Sequence, residues 1–222
     1  MKRMLLLILL LCLLPAGCAS RPTPAWLTAS HRQLETYKED YLAGRNPHLT
    51  ELHFQRALSE IRRSGDVELL GRAWLTRLAL RIAVLEPPEE GDYPRVEAAQ
   101  PVPANRHFSR FLRGDLAAVE GALLPASYRP LLEALRHGDT AETAGEITGI
   151  DDPLSRLIAS GVAVNRNIAS EAILQNAVET AAQRGWKRGL LAWLKRLQAF
   201  YEAAGDTARA ATVGRRIDLS ER

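Results

Sequence analysis

Beyond residue 18 this chain of 222 residues contains no cysteine. A domain folded from that part has no thiol for a disulfide, a zinc site or a redox centre, so core packing alone must stabilise it. Histidine is also sparse, at His31, His48, His53, His107 and His137. His48 and His53 are five residues apart, about 500° of helical rotation, so they do not align as an i, i+4 zinc pair would, and no HExxH occurs. No metal and no cofactor is expected. Glycine-rich stretches that could cradle phosphate are missing, as are serine nucleophile elbows. A surplus of one charge is lacking too. Lys2 and Arg3 fall within the first seventeen residues, and the remaining 205 carry 27 basic against 26 acidic side chains. That balance lacks the electrostatic footprint of a nucleic-acid binder. After the first eighteen residues no apolar run approaches the ~18 residues that cross a bilayer. Nor is there a long period-2 run of β-branched residues to suggest a sheet.

What is present begins at the amino terminus. Lys2 and Arg3 precede an unbroken apolar run from Met4 to Leu14, then Pro15-Ala16-Gly17 and Cys18. Eleven helical residues cover only ~16 Å, about half a hydrocarbon core, which suits a secretory signal peptide better than a span. The stretch Leu14-Pro15-Ala16-Gly17-Cys18 resembles the lipobox of bacterial lipoproteins. The resemblance implies a diacylglyceryl thioether on Cys18, cleavage before it and acylation of the new amine. It also implies that Ala19, not being Asp, favours the outer membrane in a two-membrane host. Cys12 leaves with the signal peptide. Residues 19–24 (ASRPTP) read as a short tether.

From Trp26 onward the pattern is helical. Trp26, Leu34, Tyr37 and Tyr41 recur near helical spacing before Gly44. Asn46-Pro47 starts a second helix that buries Phe54, Ala57, Leu58 and Ile61. Asp66 caps a third, from Val67 to Leu85, apolar over most of its circumference and expected to be the most buried of this half. Residues 86–104 carry Pro at 87, 88, 94, 101 and 103 and read as a spacer between two subdomains, with a binding loop as the alternative. Short helices follow over 106–112, 116–124 and 128–135. Asp152-Pro153 opens another, and Gly161 to Asn167 reads as a turn. Ser170 caps a helix through Ala181. The next, Lys187 to Ala204, carries Trp193, Leu197, Phe200 and Tyr201 as a core stripe, with Trp186 as a local staple onto Leu190. Acidic residues find structural roles. Glu35, Glu39 and Asp40 surround Lys38 as a solvated face, and Asp151-Asp152-Pro153 is a helix start rather than an acid–base pair.

The same joint, helix then Gly-Asp then helix, occurs at residues 65, 114, 138 and 205. Glycine releases one helix and aspartate starts the next, so each joint folds a hairpin. The last unit resembles a tetratricopeptide repeat: counting from Leu191, its apolar or small positions fall on Leu194, Leu197, Tyr201, Ala210 and Ile217, with the turn at Gly205. Gln198 and Gly214 stand where a small residue and an aromatic are usual. A single hairpin does not bury enough surface to offset the ordering of its backbone, so the units must stack. The expected fold is all-α, antiparallel helical hairpins stacked as a repeat-like array of the α-solenoid kind. Its organisation is signal peptide 1–17, lipidated cysteine and tether 18–24, N-terminal helical subdomain 25–85, proline-rich linker 86–104 and C-terminal array 105–222.

These readings lead to a non-enzymatic adaptor or scaffold facing the periplasm, held to the membrane through Cys18 and binding other envelope proteins. The candidate contacts are polar residues off the C-terminal stripe: Gln183, Arg184, Arg188, Lys195, Arg196 and Glu202. Two alternatives stand beside it, a peptidoglycan-directed hydrolase using carboxylates and a carrier of an apolar ligand between the helical halves. An open surface favours the adaptor, paired buried carboxylates the enzyme, and a closed apolar cavity the carrier.

Overall fold

The computed structural model describes residues 23–221; the apolar run, Cys18 and the start of the tether lie outside the described residues. Those described form eleven α-helices and three single 3-10 turns, with no strand among them. The helices are α1 (Ala25–Ala43), α2 (Pro47–Ser64), α3 (Val67–Ala83), α4 (Tyr93–Ala99), α5 (Pro103–Arg113), α6 (Arg129–His137), α7 (Thr140–Thr148), α8 (Pro153–Asn165), α9 (Glu171–Gln183), α10 (Lys187–Ala203) and α11 (Thr207–Glu221). The turns occupy Leu116–Ala118, Gly121–Leu123 and Ala126–Tyr128. The fold is an all-α array in which successive helices pack as hairpins, α1 on α2, α6 on α7, α9 on α10 and α10 on α11.

The four Gly-Asp joints are built as their chemistry demands. Each glycine ends its helix with a positive φ between 70° and 75°, a conformation that costs a residue without Cβ little. Asp66 then accepts the amide of Leu69, Asp139 those of Ala141 and Glu142, and Asp206 that of Arg209. Asp115 is the exception: it makes no cap and leads into a 3-10 turn. In the last hairpin Leu194, Leu197, Tyr201, Ala210 and Ile217 are all buried. Its two departures from the repeat pattern face each other, since a Cβ on Gly214 would lie 3.4 Å from Nε2 of Gln198. A larger residue on one helix meets the smallest on the other.

Helix α3 is the hub. Nine of its 17 residues are buried, and it packs against α1, α2, α4, α5 and α8. One apolar core runs without interruption from Tyr37 to Ile217. Residues 86–104 therefore do not act as the expected spacer. Pro94 and Pro103 stand in the first turns of α4 and α5, where proline's fixed φ suits a helix start and its missing N–H is no loss. Tyr93 is buried, and Gly91 presses on the Trp74 ring so closely that a Cβ there would meet it at 2.3 Å. Gly161 is not in a turn either; it lies within α8, where that helix crosses α3. The expected helix over 116–124 is replaced by two of the 3-10 turns. Their carbonyls take partners from side chains instead: Arg110 donates to Ala118, Arg136 to Leu116, and Arg129 to Ala122 and Leu124.

Tyr37, Tyr41, Tyr93 and Tyr128 are buried, and that burial pushes each phenol well above its ordinary 10.0. The sign of the linkage follows. Unfolded phenols ionise near pH 10 while the folded ones stay neutral, so stability present below that pH is lost as pH rises through it. Urea midpoints measured from about pH 9 to 11 should stay level at first and then fall steeply. A level profile throughout would contradict the burial of these rings.

Candidate functional site

The amino end of α10 sits where three segments meet. Tyr41 O–H donates to Oε2 of Glu86 at 2.7 Å, and Arg188 donates to Oε1 through Nε at 2.8 Å and also through Nη2. The Arg188 guanidinium lies 4.1 Å above the centre of the Tyr41 ring. Arg81 completes the cluster, its Nη1 3.6 Å from Glu86 and its Nε bonded to the carbonyl of Pro87. Two further links cross the same seam. Trp186 donates to Glu39 at 2.9 Å, and the fully buried Trp193 donates to the carbonyl of Ala83 at 2.8 Å. Glu86 thus has a phenol and two guanidinium groups on its oxygens. With its lone pairs so occupied it is placed to hold α1, α3 and α10 together, not to take a proton from a substrate.

This geometry divides the six candidate contacts. Arg188 is turned inward, as half of the bond to Glu86. The other five face outward. Arg184 lies over the Trp186 ring with Glu39 3.8 Å away. Lys195 pairs with Glu221 at 2.9 Å, and Glu202 accepts from Gln198. Gln183 is exposed and Arg196 half-exposed, neither with a side-chain hydrogen bond among the described residues. Periodicity places Arg188 off the apolar stripe of α10 correctly, but the surface it then meets comes from a carboxylate 102 residues earlier.

Other acidic groups are held in the same way. Glu97 takes Arg106 at 2.7 Å and the Tyr93 hydroxyl at 3.0 Å, and Glu90 takes Arg113 at 3.2 Å. Asp40 is not on the expected solvated face: it is buried between α1 and α2, where it bonds Arg45 at 2.6 Å with His53 at 3.9 Å. Glu171 accepts the Tyr201 hydroxyl and is bridged by Arg209, and the Tyr201 bond first, then Arg209, hold its carboxyl below the usual range. Asp206 is lowered likewise by the amide and guanidinium of Arg209. A general acid needs the opposite shift, upward by burial or by a second carboxylate. No group of three or more metal-ligating side chains occurs among the described residues.

A cleft of about 540 Å³ lies between α3, α5 and the turns after α5. Leu75, Phe108 and Leu124 form apolar walls, buried Asn105 stands among them, and Arg72 and Arg129 are at the rim. Neither arginine is idle. Arg72 pairs with Glu68 at 2.8 Å, and Arg129 braces the carbonyls of Leu124 and Ala122. The cleft is large enough for a small apolar molecule. Sequence reasoning missed it, because its walls come from three separate segments and none carries a motif. No profile of a known protein family, no curated protein and no solved structure matches this chain.

Proposed function

We propose that this protein is a lipid-anchored α-helical adaptor, facing the periplasm, whose role is to hold other envelope proteins. The observation that carries the anchor is the run from Lys2 to Cys18, whose short apolar segment and small residues before the cysteine resemble a lipobox. The adaptor role is supported by the outward side chains of the C-terminal helices, Gln183, Arg184, Lys195, Arg196 and Glu202, which lie off the core and can change without disturbing it. Glu86, Glu90 and Glu97, each bound by arginine, lend no support to a hydrolase. The cleft beside Phe108 favours a second reading, a small apolar ligand carried by the same anchored protein.

Cys18→Ser tests the anchor. Wild-type protein should sediment with membranes and carry the mass of acyl chains on a chain that begins at Cys18, whereas the variant should keep its first seventeen residues and gain no acyl mass. Several acyl chains, at about 0.8 kcal/mol per buried CH₂, hold far more firmly than one. Wild-type protein with no acyl mass overturns the proposal. Crosslinking from the five outward positions in native membranes tests the adaptor role: partner yield should fall when two or three are charge-reversed, with the helical signal unchanged.

A further inference from the structure

Three large apolar side chains stand out in solvent among the described residues, and two of them, Leu49 and Leu52, lie on α2 at 54% and 40% exposure. At 100° per residue, Leu49, Leu52, Arg56, Ser59 and Arg63 fall within one narrow sector of that helix, and Arg62 borders it. All six are exposed. The opposite side, with Phe54, Ala57, Leu58 and Ile61, is buried in the core. The exposed sector therefore has leucines towards its amino end and arginines towards its carboxyl end. Its flanking carboxylates are already engaged, Glu51 by Arg77 at 3.0 Å and Glu60 by Arg63 at 2.9 Å. Arg56 and Arg62 make no ion pair among the described residues.

Position adds a second argument. Helices α1 and α2 form an antiparallel hairpin, so the arginine end of α2 lies beside the first turn of α1, where the chain arrives from Cys18. Segments 25–34 and 55–65, which make up that end of the hairpin, contain four arginines and one carboxylate. This is a local excess in a chain that is otherwise close to neutral. The seven residues from Cys18 to Pro24 reach at most ~25 Å when fully extended, and α2 itself is only ~27 Å long. An acylated Cys18 keeps this whole face within reach of lipid headgroups.

We infer that the outer face of α2 rests on an anionic phospholipid surface, with Leu49 and Leu52 entering the interface and Arg56, Arg62 and Arg63 meeting headgroup phosphates. This inference rests on the lipid-anchor reading for its geometry. Exposed leucines together with arginines on one helical face, two of them, Arg56 and Arg62, without an ion pair among the described residues, are the composition that favours an interfacial position. Docking in this way would fix the orientation of the protein on the membrane and turn the far side of the fold towards the periplasm.

The test uses the full-length protein, purified from membranes, with a fluorophore on Leu52→Cys or, separately, on Leu49→Cys or Leu219→Cys. Each is placed in vesicles containing brominated phospholipid, either phosphatidylglycerol with phosphatidylethanolamine or phosphatidylcholine alone. The acyl chains hold the protein on both kinds, so quenching reports the face and not the attachment. Probes at 49 and 52 should be quenched on the anionic vesicles, while the probe at 219, on the last helix, should not. Quenching should be lost on phosphatidylcholine, and also at about 1 M salt, where the screening length is roughly 3 Å. Arg56→Gln should lower the ratio of docked to undocked protein about five-fold, and a further Arg63→Gln by a similar factor. Equal absence of quenching at 52 and 219 overturns the inference, as does quenching at 219 alone. Unquenched probes combined with loss of crosslinked protein in the Arg56→Gln variant would assign the face to a protein partner instead. Intact mass separates the two proposals: an acylated protein with no quenching at 52 keeps the anchor and removes the docking. If the wild-type protein carries no acyl mass, the probe is placed at 52 together with Cys12→Ser and Cys18→Ser so that no other thiol is labelled, and quenching on anionic vesicles then keeps the docking and removes the anchor.

Discussion

Gly161→Ala should lower the melting temperature by about 4–8 °C, and Gly161→Leu should leave little folded protein. Gly161 lies within α8 where that helix crosses α3. A Cβ built on it would sit 2.3 Å from the carbonyl oxygen of Ile82, 2.9 Å from its carbonyl carbon and 2.8 Å from its Cγ2. Two of those atoms are backbone of a buried helix, so no side-chain rotation relieves the contact. The helices must separate, and they are the hub and its main neighbour, lined by Leu78, Ile82, Leu157, Ile158 and Val162, all buried. Overpacking of that kind costs about 3 kcal/mol or more when the neighbour is main chain. Helix propensity acts in the other direction, since alanine is favoured over glycine by about 1 kcal/mol. The sign of the result is therefore diagnostic. Gly145→Ala in α7 provides the control, because a Cβ there meets nothing within 4 Å and should raise stability by about 0.5–1 kcal/mol. If Gly161→Ala melts as high as Gly145→Ala in calorimetry, the close crossing of α3 and α8 does not exist.

The same glycine shows what could and could not be seen in the sequence. The Gly-Asp joints were legible because both residues act locally: one takes a left-handed backbone, and at three of the four joints the other accepts one or two amides of the next helix's first turn. Gly161 has the same identity but serves a contact with Ile82, 79 positions away, and nothing beside it in sequence reveals that use. The prolines of 86–104 are a similar case. A proline ends a helix or begins one, and only the burial of Tyr93 against α3 decides that Pro94 begins one here. The run 116–124 has the composition of a helix. Its backbone is satisfied instead by Arg110, Arg129 and Arg136 from the flanking helices, a bonding pattern that needs the tertiary fold. Of the candidate contacts, five of six lie outward as helical periodicity implies. The exposed leucines of α2 were individually visible in the sequence, but their exposure was not, since it depends on which side of α2 the core occupies.

Arg188→Glu should prove the most damaging of the charge reversals on the C-terminal helices, although by periodicity it resembles its harmless neighbours. The wild-type guanidinium bonds Glu86 and covers the Tyr41 ring, with Glu86 and Arg188 about a quarter and a third exposed. Removing one member of such a pair leaves the other short of a partner in a half-buried place. Arg188→Ala should cost about 2 kcal/mol, at the lower end for a broken pair because water reaches both groups. Arg188→Glu should cost about 3 kcal/mol, since it also sets a second carboxylate beside Glu86, and the melting temperature should drop by about 6–12 °C. Lys195→Glu and Glu202→Lys, on exposed side chains, should stay within about 0.5 kcal/mol of wild type. A double-mutant cycle with Glu86→Gln isolates the bond itself: a coupling of about 1.5 kcal/mol or more means that Arg188 fastens α10 to the loop after α3. A coupling near zero, with an unchanged melting temperature, would free Arg188 to serve a partner as the outward residues do. Loss of crosslinking in an Arg188 variant can be read as loss of a contact only after that cycle, because a loosened seam would move α10 and every candidate position on it.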